Sequence, residues 1–313
     1  MSARMSYQAH LRGIGFLVAG LCIFLLQDIA VKLVGGSYAI LEIVTVRSLV
    51  ALPLTLWLFR MEGGRGVPRS QQPRLEYLRG LCYFLSYTTH FMGLAALPLA
   101  EIAAIRFSGP LMITLFSVLF LAEQVSGRRW LALLIGFGGT LLVVRPGFDS
   151  FNLGALFIVL SVLCYAGAIL LTRPLQRTDS SATMAYYSSV VYLVATAILA
   201  PLVVFVGDVP DAHPSIAFLL HAWRMPSLGD ALIFGGLGFT WAAGMFVVAR
   251  AYSSAPASVV APFEYLALPI SVFWGFVLWH EWPSMSTWAG AALTIVCGLA
   301  IVTMDRTKTT QTT

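Results

Sequence analysis

Leu97-Pro98-Leu99-Ala100 leads through an apolar run to Leu121-Ala122-Glu123 and then Trp130. Ala255-Pro256-Ala257-Ser258 leads through another to Trp279-His280-Glu281 and then Trp288. Pro98 and Pro256, Glu123 and Glu281, and Trp130 and Trp288 are each 158 positions apart, so Pro, Glu and Trp recur in register. Each copy is a pair of hydrophobic segments of membrane length. The repeating unit is therefore a bundle of transmembrane helices and not a turn of a soluble solenoid. Internally duplicated membrane bundles are an architecture of transporters, whose substrate site lies between the two halves.

Composition agrees. The chain is 58% hydrophobic and 11% charged, far from the roughly 25% charged residues of a soluble domain, so lipid must be the solvent for most of it. The net charge of +5 does not point to a nucleic-acid partner, because the basic residues sit at predicted helix ends and in loops. Cys22, Cys82, Cys164 and Cys297 lie inside apolar segments without paired spacing, which reads as packing and not as a metal or disulfide site. Arg4 and Arg12 precede an apolar run with no small-residue cleavage site, so the run reads as a retained first helix.

Apolar runs of membrane length fall at about 13–34, 38–60, 76–97, 99–121, 129–145, 153–173, 182–206, 229–250, 256–279 and 285–304. The expected fold is all-α and integral to the membrane, with ten transmembrane helices in two five-helix repeats over 13–145 and 153–304. Five is odd, so the second repeat must insert upside down relative to the first. With the N-terminus inside, the inner ends carry Arg4, Arg12, Arg60, Arg65, Arg69, Arg74, Arg79, Arg128, Arg129, Arg173, Arg177, Arg250, Arg306 and Lys308, which is 14 of 19 basic residues. The outer ends carry Lys32, Arg145 and Arg224. This bias predicts cytoplasmic termini.

Charges within a span need a partner or a watery cavity. Asp28, Lys32, Glu42 and Arg47 sit at similar depth on the first two helices. They read either as a mutually neutralising ion network or as a gating or coupling element. Arg106 and Glu264 are repeat equivalents, each about 12 Å into its helix and so near the midplane. Either they neutralise each other, or they offer one cation and one anion to a zwitterion. Pro110, Pro262 and Pro269 interrupt the same two helices and are hinge candidates. The glycine-rich runs 136–139 and 235–238 allow close helix approach.

Trp57, Trp130, Trp223, Trp279, Trp282 and Trp288 fall at predicted helix ends, as interfacial anchors do. Tyr83, Tyr87, His90, Phe107, Tyr165, Trp241 and Tyr265 lie deeper. The first three share one helix face at i, i+4, i+7. As a set they describe a pocket for a flat, partly polar molecule, and they are the substrate-binding candidates together with Arg106 and Glu264.

These residues bring the chain close to a known family. Arg47-Ser48-Leu49, the Ala-Leu-Pro-Leu-Ala hairpin at 96–100, Pro110, Glu123, the 136–139 glycines, Ser161 to Arg173, Ala255 to Ser258, Glu281 and the helix after Trp288 together resemble the ten-helix EamA-type members of the drug/metabolite transporter superfamily. The resemblance implies a carrier of the bacterial inner membrane working by alternating access, most like exporters of aromatic amino acids. The 207–228 insert departs from the leanest members. Glu123 and Glu281 read as helix-end structure.

The expected function is export of small amphipathic metabolites, aromatic amino acids first. The alternative is broad export of cationic drugs, which would need an unpaired acid in the cavity. A polytopic membrane enzyme is the remote third. The five His, at 10, 90, 213, 221 and 280, lack metal-ligand spacing, and no phosphate-binding Gly-x-x-x-x-Gly-Lys-Ser/Thr loop is present. No catalytic residue, cofactor or metal is expected. The expected partners are a small-molecule substrate and membrane lipid, with the chain acting as a monomer.

Overall fold

In lipid every backbone N–H and C=O must be satisfied within its own segment, so long apolar runs become helices. The computed structural model describes residues 2–34, 37–121, 127–144, 152–175, 177–207, 209, 211–254, 263, 266–293 and 295–297. Among these residues all regular structure is helical. In chain order the helices are α1 (Ser2–Val34), α2 (Ile40–Met61), α3 (Pro73–Leu94), α4 (Leu99–Arg106), α5 (Gly109–Leu121), α6 (Gly127–Val144) and α7 (Leu153–Leu175). They continue as α8 (Ser181–Val206), α9 (Pro214–Leu220), α10 (Leu228–Ser254) and α11 (Ala267–Trp279), followed by α12 (Met285–Cys297).

Among the described residues five stretches are long and apolar enough to cross a membrane: Leu11–Val34, Ile40–Met61, Leu99–Phe120, Leu153–Thr172 and Ser181–Val206. Leu134–Val144, Pro269–Trp279 and Met285–Cys297 are shorter apolar helices. Large apolar side chains face outward on the helices, among them Phe205 of α8 at 91% exposure and Leu232 of α10 at 70%. A surface of that kind needs lipid around it.

The apolar run at 99–121 reads in sequence as one kinked helix, but it is two. α4 ends at Arg106, Phe107 and Ser108 form a turn, and α5 starts at Gly109. The Ser108 hydroxyl donates to the Ile105 carbonyl at 2.7 Å, and Pro110 cannot donate to a ladder continuing from α4. Pro110 therefore sits in the first turn of α5, where a missing N–H has no intrahelical partner to lose. Pro269 likewise lies in the first turn of α11. Pro262 lies outside the described residues.

The chain forms two compact units that cut across the sequence repeat, each drawing on both halves. One comprises residues 1–25, 97–155 and 243–313. Within it α4 packs along α11, and α6 lies against α4 and α5. A Cβ at Gly290 would strike the Gly139 carbonyl and the Val143 side chain, so small residues let α12 and α6 touch backbone to backbone. Attraction between helices in lipid comes largely from such close packing.

The other unit comprises residues 26–96 and 156–242. Here α2 and α3 both pack along α8, and α9 touches all three. Ile40, Leu41, Ile43 and Val44 of α2, Phe84 and Phe91 of α3, and Phe234 of α10 are fully buried. Ser180 caps α8 by accepting from the Thr183 amide at 3.2 Å. The 62–72 connection is fastened to the turn before α8. The Ser70 hydroxyl donates to Asp179, the Gln71 amide donates to Asp179 Oδ1 at 3.2 Å, and the Ser70 amide donates to the Tyr187 hydroxyl at 3.3 Å.

Candidate substrate site

Arg47 is the eighth residue of α2 and is 2% exposed. Its position follows from the face of α2 that meets α8, because Ser48, Ala51 and Thr55 of the same face are buried too. The guanidinium carbon lies 3.8 Å from the centroid of the Tyr87 ring, 4.8 Å from Tyr192 and 5.4 Å from Trp241. Three helices, α3, α8 and α10, thus each present one aromatic ring to the same cation. Gly238 makes the approach of α10 possible, since a Cβ there would sit 2.8 Å from the Arg47 carbonyl oxygen.

This arrangement is electrostatically incomplete. Among the described residues, Arg47 Nε and Nη1 are buried without a hydrogen-bond acceptor, and Arg47 forms no ion pair. A desolvated cation–π contact contributes about 2 kcal/mol, whereas an unpaired buried ion costs several. The rings offset part of that cost and leave the Nε and Nη1 donors unfilled among the described residues.

The rings are held in turn. Tyr192 donates its hydroxyl to the Tyr83 carbonyl at 2.9 Å and meets Phe84 edge-on at 5.6 Å. Tyr87 packs against Phe91 at 4.4 Å and against Tyr192 at 5.9 Å. Tyr83 meets the half-exposed Tyr165 edge-on at 6.1 Å. Ser161 of α7 donates to the Ser86 carbonyl at 2.7 Å, tying α7 to α3.

Asp28, Glu42 and Arg47 of the first two helices meet different groups. Asp28 pairs with His90 Nε2 at 3.1 Å. Glu42 is buried and accepts the Arg224 amide at 3.4 Å. Arg47 faces the rings. Lys32 lies in the last turn of α1, where a cation complements the helix dipole. Beside them Tyr38 donates to Asp230 at 2.7 Å, and that hydrogen bond, as the largest cause, holds the phenol above its usual range.

A second polar cluster lies at the other end of α3. Arg79 is buried and pairs with the fully buried Glu76 at 3.3 Å. It also donates to the Thr172 hydroxyl at 2.9 Å, the Met184 carbonyl at 3.1 Å and Ser188 at 3.2 Å. In sequence Arg79 reads only as an inner-end charge. The structure makes it a buried clasp joining α3, α7 and α8.

Of the predicted substrate residues, Tyr83, Tyr87, His90, Tyr165 and Trp241 fall in this one unit, together with Asp28, Lys32, Glu42 and Arg47. Arg106 is exposed and Phe107 buried, both in the first-described unit. Glu264 and Tyr265 lie outside the described residues. Sequence reading missed Tyr192, a phenol well inside α8, and the Glu76–Arg79 pair, whose i, i+3 spacing was visible. Trp57, Trp223, Trp282 and Trp288 are exposed, as anchors would be.

A solved crystal structure with 17% sequence identity matches with a TM-score of 0.61 over 96% of this chain and 98% of its own, and shares the fold. An S-adenosylmethionine uptake transporter of Rickettsia bellii is 26% identical over 94% of each chain. A riboflavin transporter of Vibrio cholerae is 29% identical over 97% of each. The pseudopaline exporter CntI of Pseudomonas aeruginosa is 27% identical over 91% of this chain and 93% of its own. The model of the EamA-like transporter family matches twice, over residues 11–145 and 152–304, which together are nearly the whole chain. The chain is a membrane transporter and not an enzyme, and it belongs to the EamA-like transporter family.

Proposed function

We propose that the chain is a secondary carrier that moves a small ring-bearing metabolite by alternating access, with aromatic amino acids as leading substrates and export as the direction. The observation that carries this reading is the convergence of Tyr87, Tyr192 and Trp241 on one buried site, with Tyr83 adjoining. Aromatic walls favour a flat ring by offset or edge-on stacking. Riboflavin and S-adenosylmethionine, which name two of the relatives, both contain flat heteroaromatic rings. We place the carrier in a bacterial inner membrane with ten helices, two inverted repeats and both termini cytoplasmic. Asp28 and His90 are its gating or coupling pair. Export of cationic drugs is the weaker reading, because the unpaired buried group beside the rings is itself a cation.

Purified protein in liposomes tests this by counterflow of labelled Phe, Trp, Thr, riboflavin, S-adenosylmethionine and methyl viologen. Ring-bearing solutes should exchange and Thr should not. Exchange of Thr at the rate of Trp, or of methyl viologen alone, overturns the reading.

A further inference from the structure

We infer that Arg47 is the receptor for a monoanionic group, a carboxylate, on the transported molecule. The inference rests on the carrier reading above and narrows its substrate class to anions and zwitterions. Three observations lead to it. Arg47 is 2% exposed, yet Nε and Nη1 have no acceptor among the described residues. A guanidinium cannot shed its proton to escape burial. The acids on the neighbouring elements are engaged elsewhere, Asp28 with His90 at 3.1 Å and Glu42 with the Arg224 amide at 3.4 Å.

The shape of the site adds specificity. The rings of Tyr87, Tyr192 and Trp241 approach the guanidinium carbon, and Nε and Nη1 stay unfilled among the described residues. The unfilled Nε and Nη1 can each donate a charge-assisted hydrogen bond to a carboxylate oxygen. The cluster offers one uncompensated positive charge, so a monoanion balances it, whereas a phosphate dianion would bury a net negative charge. The ligand then completes the site electrically and leaves its ring against the same aromatic walls.

The test is a charge series on the purified full chain, read as ligand-dependent thermal stabilisation. Indolepropionate, tryptophol and tryptamine share one ring and differ in charge. Pentanoate, pentanamide and pentylamine repeat the series without a ring, and phenyl phosphate against phenylacetate separates dianion from monoanion. Each carboxylate should bind roughly tenfold or more tighter than its neutral partner, the size of one charge-assisted hydrogen bond. Amines should bind no tighter than the neutral compounds, and phenylacetate should bind tighter than phenyl phosphate. Arg47→Gln should erase the order, and Arg47→Lys should keep it in weakened form.

Affinity independent of charge, preference for amines, or no stabilisation by either carboxylate overturns the inference. The wild-type series decides this even if Arg47→Gln fails to fold. If pentanoate shows the charge order and the indoles bind no better than their acyclic counterparts, the ring reading falls and the anion receptor stands.

Discussion

The Glu281 carboxylate accepts the Leu99 amide proton at 3.3 Å, across 182 positions of chain. Leu99 opens α4, whose first N–H groups have no intrahelical acceptor, and its N-cap residue Pro98 contributes no side-chain bond. The cap comes from the far end of α11. There His280 adopts a left-handed conformation with φ of 55° and turns the chain back. The Pro and Glu of the repeated motif thus meet at one helix start, each borrowed from a different copy.

Removing that cap should weaken the fold and spare substrate choice. Glu281→Ala is expected to cost about 1 kcal/mol, the usual worth of a helix cap. The unfolding temperature in detergent should fall by a few degrees while the order of substrates in counterflow is unchanged. An altered order would assign Glu281 to the transport pathway instead.

Glycine 238 offers a steric control on the aromatic site. Gly238→Val places side-chain atoms against the Arg47 carbonyl and Val50, pushing α10 and Trp241 away from α2. Overpacking of this kind costs about 1–3 kcal/mol, and counterflow of aromatic substrates should fall sharply. Gly236→Ala meets nothing within 4 Å and should behave as wild type. Equal behaviour of the two variants would remove the case for close packing at Gly238.

The Arg79 clasp should be more sensitive still. Arg79→Met strands a carboxylate that is 0% exposed, and breaking a buried pair costs about 3–5 kcal/mol. Yield of folded protein should collapse. Adding Glu76→Gln to the same chain removes the stranded charge and should restore part of it, as size-exclusion profiles would show. A double variant no better than Arg79→Met would mean that the bonds to Thr172, Met184 and Ser188 carry the stability.

Asp28 and His90 should be energetically coupled. Asp28→Asn, His90→Gln and the double variant form a cycle in which the double change costs less than the sum of the singles. Contacting residues of this kind couple by about 1 kcal/mol, readable from thermal unfolding. Strict additivity would show that their 3.1 Å contact carries no energy.

What the chain discloses by itself follows from which forces are local. The i, i+4, i+7 spacing put Tyr83, Tyr87 and His90 on one face of α3, because helical period needs no neighbour to define it. The surroundings of Arg47 were hidden, since its cage is made by rings 40, 145 and 194 positions away that meet only when α2 packs on α3, α8 and α10. The partners of Arg79 were hidden for a related reason. A charge count weighs each arginine equally and does not see that Glu76, Thr172 and Ser188 surround this one. The break at Phe107–Ser108 escaped because hydropathy runs unbroken through it. Ser108-Gly109-Pro110 was its one visible sign.

The fastening of the 62–72 connection makes the polypeptide divisible. Asp179 and Tyr187 grip Ser70 and Gln71, while Gly63 and Gly66, just upstream, carry positive φ angles and nothing lies within 4 Å of where a Cβ would sit. A nick between Gly66 and Val67 would leave each severed end anchored by its own helix. Fragments 1–66 and 67–313, made from separate messages in one cell, should therefore find each other and copurify as a working pair, while a cut inside α3 should not be complemented. The site offers a place to insert reporters or label the two pieces independently without disturbing the rings around Arg47.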